Sequence, residues 1–453
     1  MSEKTVAAIA TPAGDGALGV IRISGEDAIT VADRVFFPFS GKALEGMKGY
    51  TAAYGEIKDG ETVLDDAVAL VFRAPHSFTG ENTVEISVHG GSIMLRNVLR
   101  LILSNGAFAA GPGEFSKRAF LNGKTDLTRA ESIMGLISAK SDAELRLSRA
   151  AHLGKTAEKI EKIIGDLTRA DAAISVYSDY PDEDIEGLDR ESFSLMLENA
   201  VAALKEMLST YDAGKILREG IETAIVGKPN VGKSTLMNML SGAKRSIVTD
   251  VAGTTRDVIE ETVTVGDVVL RLADTAGIRE TEDKIESIGV QLARERIDTA
   301  QLILAVFDCT EEFDAQDQAL LDSVKDRNTI VIVNKTDLVL KLDMNVFDDF
   351  TVVEISAKEN KGYNELVQKI AEISGTANLS PDSAVLINER QRACAEKALE
   401  GVKEAYDAIL SGNTLDAVGI CVDDALSHLF ELTGKRVTNE VADEIFRSFC
   451  VGK

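Results

Sequence analysis

The stretch AIVGKPNVGKSTLMNML (224–240) constrains this chain more than any other. An apolar run ends at Gly227, a loop of spacing GxxxxGKS follows, and a helical pattern starts at once. Strand, glycine loop and helix in that order aim the loop amides and the positive end of the helix at one point, which suits a chain of phosphates. Gly227 and Gly232 permit the tight backbone, and Lys233 brings a point charge to the outer phosphates. The Ser234 hydroxyl suits Mg²⁺, while Asn230, Val231 and Thr235 complete the cradle. Such a loop sits at the end of a parallel strand. ETAIVG, LILAVFD, TIVIVNK and FTVVEIS read as buried parallel strands, and VTVGDVVLRLAD as two strands joined at Gly266–Asp267. The alternation with helices predicts a doubly wound α/β domain over residues 219–376.

Base choice is read from a second motif. NKTD (334–337) follows the strand TIVIV, and a carboxylate there accepts two hydrogen bonds from a guanine ring and its amino group. Asp337 then selects guanine, Asn334 braces the loop, the Lys335 stem covers the base, and Thr336 lies between them. Ser356, Ala357 and Lys358 (SAK) close the pocket from the other side. DTAG, comprising Asp274, Thr275, Ala276 and Gly277, offers a water-linked Mg²⁺ ligand and an amide that senses the terminal phosphate. Between these motifs lies a switch of Thr249, Asp250, Val251, Ala252, Gly253, Thr254 and Thr255, with Thr255 the second Mg²⁺ hydroxyl. The set implies GTP binding and hydrolysis. Many regulatory GTPases place Gln after DTAG to orient the attacking water, but here the position holds Ile278. Glu280, Glu282, Asp283 and Glu286 are the acidic alternatives, and spacing alone does not choose among them.

The flanking regions differ in texture. Residues 1–122 carry short β-like runs (VAAIA, GVIRIS, DAVALVF, TVEISVHG) broken by Pro and Gly, which predicts a compact α+β domain. Residues 123–218 turn helical, with Leu197, Val201, Leu204 and Leu208 on one face and SDYPDEDIEG (178–187) as a loop. Residues 377–453 are helical again, with Leu415, Val418, Val422, Leu426 and Leu429 as a stripe after an N-cap at Thr414. Two helical segments with unsatisfied faces should pack together, with the α/β domain inserted between them.

Together these motifs resemble the MnmE (TrmE) family of tRNA-modification GTPases across essentially the whole chain. GVIRISG, SFTGENTVEISVHGG, GPGEFSKRAFLNGKTDL, TDVAGTTRD, DTAGIRE and the closing FCVGK carry the likeness, with Val451 a mild departure from the usual CIGK. The resemblance implies a multidomain α/β plus α architecture. It has an N-terminal domain that dimerises and binds formyl-tetrahydrofolate, a helical domain made from two segments, and an inserted Ras-like P-loop G domain. It implies a folate site of Arg22, Glu85, Lys124 and Lys453, and a K⁺ site of Asn230, Thr249, Val251 and Thr254 that activates hydrolysis. It also points to Glu286 as the catalytic residue. The implied partner is the FAD-dependent protein MnmG, acting on carbon five of the wobble uridine of certain tRNAs. Without the family, Arg22 and Lys124 read as ordinary surface charges.

Charge, hydropathy and cysteine spacing exclude several function classes. A formal charge of −25 argues against a general nucleic-acid binder. Arg146, Arg149, Lys155, Lys159 and Lys162 are interleaved with Glu144, Glu158 and Glu161, which reads as a solvated helix face. No apolar run reaches the roughly 18 residues of a membrane span, and MSEKTVAAIATPAG lacks the pattern of a signal peptide, so a cytoplasmic protein is expected. Cys309, Cys394, Cys421 and Cys450 show no metal spacing and read as free buried thiols. A ribosome-assembly GTPase is the alternative, but it should carry a basic RNA-binding domain beside the α/β motifs. A folate-dependent one-carbon transferase with a regulatory G domain is the third.

Overall fold

The computed structural model describes residues 4–12, 14–139, 141–179, 190–242, 261–272, 297–380 and 383–453. The chain divides into two compact units, one of residues 1–134 and 427–453 and the other of residues 135–426.

The first unit is built on a seven-stranded sheet. Its strands are β1 (Val6–Ile9), β2 (Leu18–Ser24), β3 (Phe36–Pro38), β4 (Thr51–Asp59), β5 (Thr62–Phe72), β6 (Thr83–His89) and β7 (Phe108–Ala109), in the order β3-β4-β5-β6-β2-β1-β7. All neighbours are antiparallel except β1 and β7. Period-two alternation sets the faces. Ile21, Ile23, Val84, Ile86 and Val88 enter a core with α1 (Ala28–Asp33) and α2 (Ser92–Ser104). The Leu95 side chain of α2 lies over Gly19, where a Cβ would come within 2.5 Å of Leu95 Cδ2 and push that side chain aside. On the other face, Val6 and Ala8 pack with Phe115 of α3 (Glu114–Leu121). A smaller core joins Leu127 and Ala130 of α4 (Leu127–Ser138) to Ala442, Phe446 and Phe449. Residues far apart in sequence therefore build this smaller core.

The second unit joins a helical layer to an α/β sheet. Its strands are β8 (Ile221–Val226), β9 (Glu261–Val265), β10 (Val268–Leu272), β11 (Leu302–Asp308), β12 (Thr329–Asn334) and β13 (Thr351–Glu354), in the order β13-β12-β11-β8-β10-β9. Five are parallel, and β9 pairs antiparallel with β10 around Gly266 at φ 61°. Every residue of β11 and β12 is buried, as near-continuous apolar runs require when both faces are covered. The helices α5 (Asp142–His152), α6 (Lys155–Asp179) and α7 (Arg190–Glu219) pack on one another, and α7 runs along the helix Glu389–Leu410. The helix α7, before the α/β domain in the chain, therefore packs on the helix Glu389–Leu410 that follows it, while residues 123–134 and 427–453 belong to the first unit. Ala143, Leu147 and Leu217 share a core with the sheet, and Thr156 Oγ1 donates to the Val385 carbonyl at 3.1 Å.

Local expectations need adjustment. The buried stripe of α7 is Leu197, Ala200, Leu204, Met207 and Tyr211, while Val201 and Leu208 only flank it, because helical contact drifts with a 3.6-residue period. Val418, Val422, Leu426 and Leu429 are buried as expected, with Leu415 half-buried. The helix α6 continues through Ser178 and Asp179, and the rest of the expected loop lies outside the described residues. Glu144 is not a solvated charge. It is 4% exposed and faces Arg218, because it stands one helical turn from Leu147 and Ser148 on the inner side of α5. Arg146 pairs with Asp267 and Lys159 with Glu206, so much of the basic face is neutralised. Cys309 and Cys394 are buried, but Cys421 is half-buried and Cys450 exposed. All four are free thiols.

Candidate nucleotide site and a second polar cluster

The phosphate loop leaves β8 at Gly227 and enters α8 (Lys233–Gly242). Both glycines are required by contact. A Cβ at Gly227 would lie 2.4 Å from the Val306 carbonyl of β11, and one at Gly232 would lie 2.2 Å from Asn334 Nδ2. Asn230 adopts φ 62°, a left-handed turn that asparagine tolerates better than most residues. Lys233 Nζ donates to the Gly227 carbonyl at 2.9 Å and the Lys228 carbonyl at 2.6 Å, and burial pushes its pKa below the usual lysine range. Ser234 and Thr235 are exposed in the first turn of α8.

The base loop is fastened to this cradle by one side chain. Asn334, 2% exposed at the end of β12, donates from Nδ2 to the Val231 carbonyl at 2.8 Å. Its Oδ1 accepts from the Ala357 amide at 3.1 Å. Phosphate loop, NKTD and SAK thus meet at a single buried amide. Ser356 donates to Asp337 Oδ1 at 2.6 Å, and this bond, with Lys358 and Lys361 nearby, holds the Asp337 carboxyl below the usual carboxylate range. Asp337 itself is exposed. The Thr336 amide donates to the Ile355 carbonyl at 3.1 Å. Lys335 adopts φ 67° and its Nζ lies 2.5 Å from Asp308 Oδ2. Burial opposes ionisation of Asp308. Hydrogen bonds from Lys335 and from the Thr310 amide and hydroxyl outweigh it, and the carboxyl titrates below its ordinary range. Thr249 to Thr255, Asp274 to Gly277 and Glu286 lie outside the described residues.

In the first unit, Arg22 and Glu85 are direct cross-strand partners on the sheet face away from α1 and α2. Their side chains pair at 2.8 Å, and Arg22 Nη1 donates to the Gly452 carbonyl at 3.2 Å. The Arg22 guanidinium lies over the rings of Phe78 and Phe115, 5.7 and 5.4 Å from their centroids. Arg22 is therefore not an ordinary surface charge. Its side chain is 15% exposed. The Phe115 amide donates to the Lys453 carbonyl at 3.1 Å, which brings Lys453 beside this pair. Lys124 is exposed, and its Nζ donates to the Pro75 carbonyl at 3.0 Å, behind the loop that carries Phe78.

Sequence-based reasoning overlooked Arg118, although the quoted motif contains it. Arg118 is 3% exposed and donates to Glu81 at 3.0 Å, to Glu114 at 3.0 Å and to the Lys4 carbonyl at 2.9 Å. Burial works against its charge, and the two carboxylates more than compensate. The signal available was the spacing of Glu114 and Arg118, one helical turn apart.

The profile described as "MnmE helical domain" matches residues 127–450, and that of "GTP-binding protein TrmE N-terminus" matches residues 5–124. The chain belongs to the MnmE family. It is 41% identical over 459 residues to the tRNA modification GTPase MnmE of Listeria welshimeri, with 100% of both chains covered. It is 38% identical over 456 residues to that of Clostridioides difficile, covering 100% of this chain and 99% of the relative. Each site described above thus falls inside a stretch shared with MnmE relatives along its full length. Among the described residues, no helix is long and apolar enough to cross a membrane.

Proposed function

We propose that this chain binds GTP and hydrolyses it in the course of tRNA modification. Asn334 carries the reading, since one buried amide fixes the phosphate loop against the two loops that would hold the base. In this reading the loop amides and Lys233 bind the phosphates, and Asp337 accepts two hydrogen bonds from guanine. Ser234 fits a Mg²⁺ ligand, because its hydroxyl is exposed beside Lys233 at the head of α8, and Thr255 is the proposed second hydroxyl. Mg²⁺ supplies neutralising charge to the phosphates when bound. Asn230, with its side chain exposed at the loop apex, fits a K⁺ ligand together with Thr249, Val251 and Thr254. Glu286 is assigned to orient the attacking water, and the switch residues 249–255 and 274–277 to respond to the terminal phosphate.

The folate assignment rests on convergence. Arg22, Glu85 and the Gly452–Lys453 backbone come together on one face, with the Phe78 and Phe115 rings against the guanidinium. That set offers acceptors and donors beside aromatic rings, which fits a pterin edge. Residues 1–122 would carry the homodimer contact and, with Lys124 and the Gly452–Lys453 end of the chain, the folate site, 123–218 and 377–453 the helical domain, and 219–376 the G domain. The proposed partner is MnmG, the substrate the wobble uridine of certain tRNAs, and the compartment the cytoplasm. Mass spectrometry of wobble nucleosides from cells with and without the chain tests the reading, paired with GTP turnover of the purified protein. Loss of a carbon-five aminomethyl-type group on deletion is expected. Unchanged nucleosides, or no GTP turnover in potassium buffer, refutes it.

A further inference from the structure

The second position of the phosphate loop is unconstrained by the spacing GxxxxGKS, yet here it holds a lysine. Beside a polyanion site, Lys228 reads as an extra phosphate ligand. The structure turns it elsewhere. Lys228 Nζ lies 2.7 Å from Asp314 Oδ2 and 2.7 Å from Asp317 Oδ2, and its side chain is 14% exposed. Both carboxylates are themselves fixed by backbone. Asp314 caps the helix Ala315–Val324, with Oδ1 accepting from the Gln316 amide at 2.8 Å and the Asp317 amide at 3.1 Å. Asp317 Oδ2 accepts from the Asp314 amide at 3.2 Å, closing a capping box. The partners of Lys228 are therefore held in place.

We infer that Lys228 is a positioning residue that ties the phosphate loop to the head of the helix Ala315–Val324 and does not touch phosphate. The inference rests on the GTP reading of the site. Lys228 joins two parts of the structure. Its carbonyl accepts from Lys233 Nζ at 2.6 Å, while its ammonium grips the neighbouring helix. Two carboxylates surround one ammonium, so no net positive charge is left for an anion. The surplus negative charge faces the helix N-terminus, whose dipole offsets it. Burial opposes the Lys228 charge, but the hydrogen bonds it donates to both carboxylates raise its pKa above the usual lysine range, so the ammonium keeps its charge at neutral pH. Charge-assisted bonds with fixed partners outweigh exposed pairs, which move freely. Cutting the tie frees the segment that seats Lys233, and a preorganised anion cradle loses affinity when it must be ordered by its ligand.

Two readings differ in sign, which gives the test. GDP and a non-hydrolysable GTP analogue are titrated calorimetrically into the full chain and into Lys228→Met, Lys228→Arg, Asp317→Asn and the double variant Lys228→Met/Asp317→Asn. The tether predicts about fivefold weaker binding of both nucleotides for Lys228→Met. Asp317→Asn keeps a capping acceptor and should weaken binding in the same direction. The double variant should be no weaker than Lys228→Met alone, and Lys228→Arg should recover most of the affinity. A direct phosphate contact predicts the opposite for Asp317→Asn, because the freed lysine would bind more tightly. Tighter binding by Asp317→Asn overturns the inference, as does loss of thermal stability in Lys228→Met with affinity unchanged. A wild-type chain that binds neither nucleotide overturns the GTP reading, and the tether falls with it.

Discussion

Replacing Asn334 by Ala removes the joint on which the candidate site depends. The side chain makes two buried hydrogen bonds, 2.8 Å to the Val231 carbonyl and 3.1 Å from the Ala357 amide. Water has little access to replace them, since Asn334 is 2% exposed. A net bond is worth about 1 kcal/mol, and a buried group left without its partner costs about 1–3 kcal/mol. Two orphaned backbone groups therefore set the total near 3 kcal/mol. This cost divides between two observables. If the loops keep their arrangement without nucleotide, it falls on folding stability. If they part, it falls on nucleotide affinity, where 3 kcal/mol is about a hundredfold in Kd. Urea unfolding and fluorescence titration with a labelled GDP measure the two parts, and together they should reach about 3 kcal/mol. Asn334→Asp keeps the acceptor for Ala357 but sets a carboxylate against the Val231 carbonyl, so its loss should lie mainly in affinity. If Asn334→Ala stays within about 0.5 kcal/mol of wild type on both measures, the side chain does not join the loops and the reasoning fails.

Ser356→Ala should move the acid limb of guanine-nucleotide binding to higher pH. Asp337 must be ionised to accept from guanine, and its depressed pKa means binding is present above that pKa and lost as pH falls through it. Removing the Ser356 hydroxyl, the largest cause of the depression, should raise the pKa towards the ordinary carboxylate value, and a pH series of GDP titrations would show this. An unshifted acid limb would count against the Ser356–Asp337 bond as its cause. Arg118→Ala should destabilise the first unit by about 3 kcal/mol in urea unfolding, because it leaves Glu81 and Glu114 without their buried counter-charge. A loss under about 1 kcal/mol would mean that water replaces the guanidinium. Glu286→Ala should lower GTP turnover strongly with affinity nearly intact, and wild-type turnover should be faster in potassium than in sodium. Equal loss of affinity would make Glu286 structural.

The phosphate loop, the base motifs and the β-runs were legible because each is local. A GxxxxGKS loop needs consecutive residues, and a strand buried on both faces needs an unbroken apolar run, so adjacent letters contain both. Period likewise revealed the helices, though not their inward face. On α7 that face is fixed by the elements packed on it, among them α6 and the distant helix Glu389–Leu410, and Ala200 and Met207 are buried where Val201 and Leu208 are not. The family motifs pointed to Arg22, Glu85 and Lys453 separately. Only the register of β2 against β6 makes Arg22 and Glu85 a pair, and only folding brings Gly452 within 3.2 Å of an arginine 430 residues earlier. Lys228 shows the same limit, since nothing in the loop's spacing says that its ammonium meets Asp314 and Asp317 at the head of the helix Ala315–Val324. Sequence determines what a segment can become and which chemistry its side chains hold. Which charges neutralise one another is decided by tertiary structure, because Coulomb and hydrogen-bond energies depend on a few ångströms of separation that chain distance does not encode.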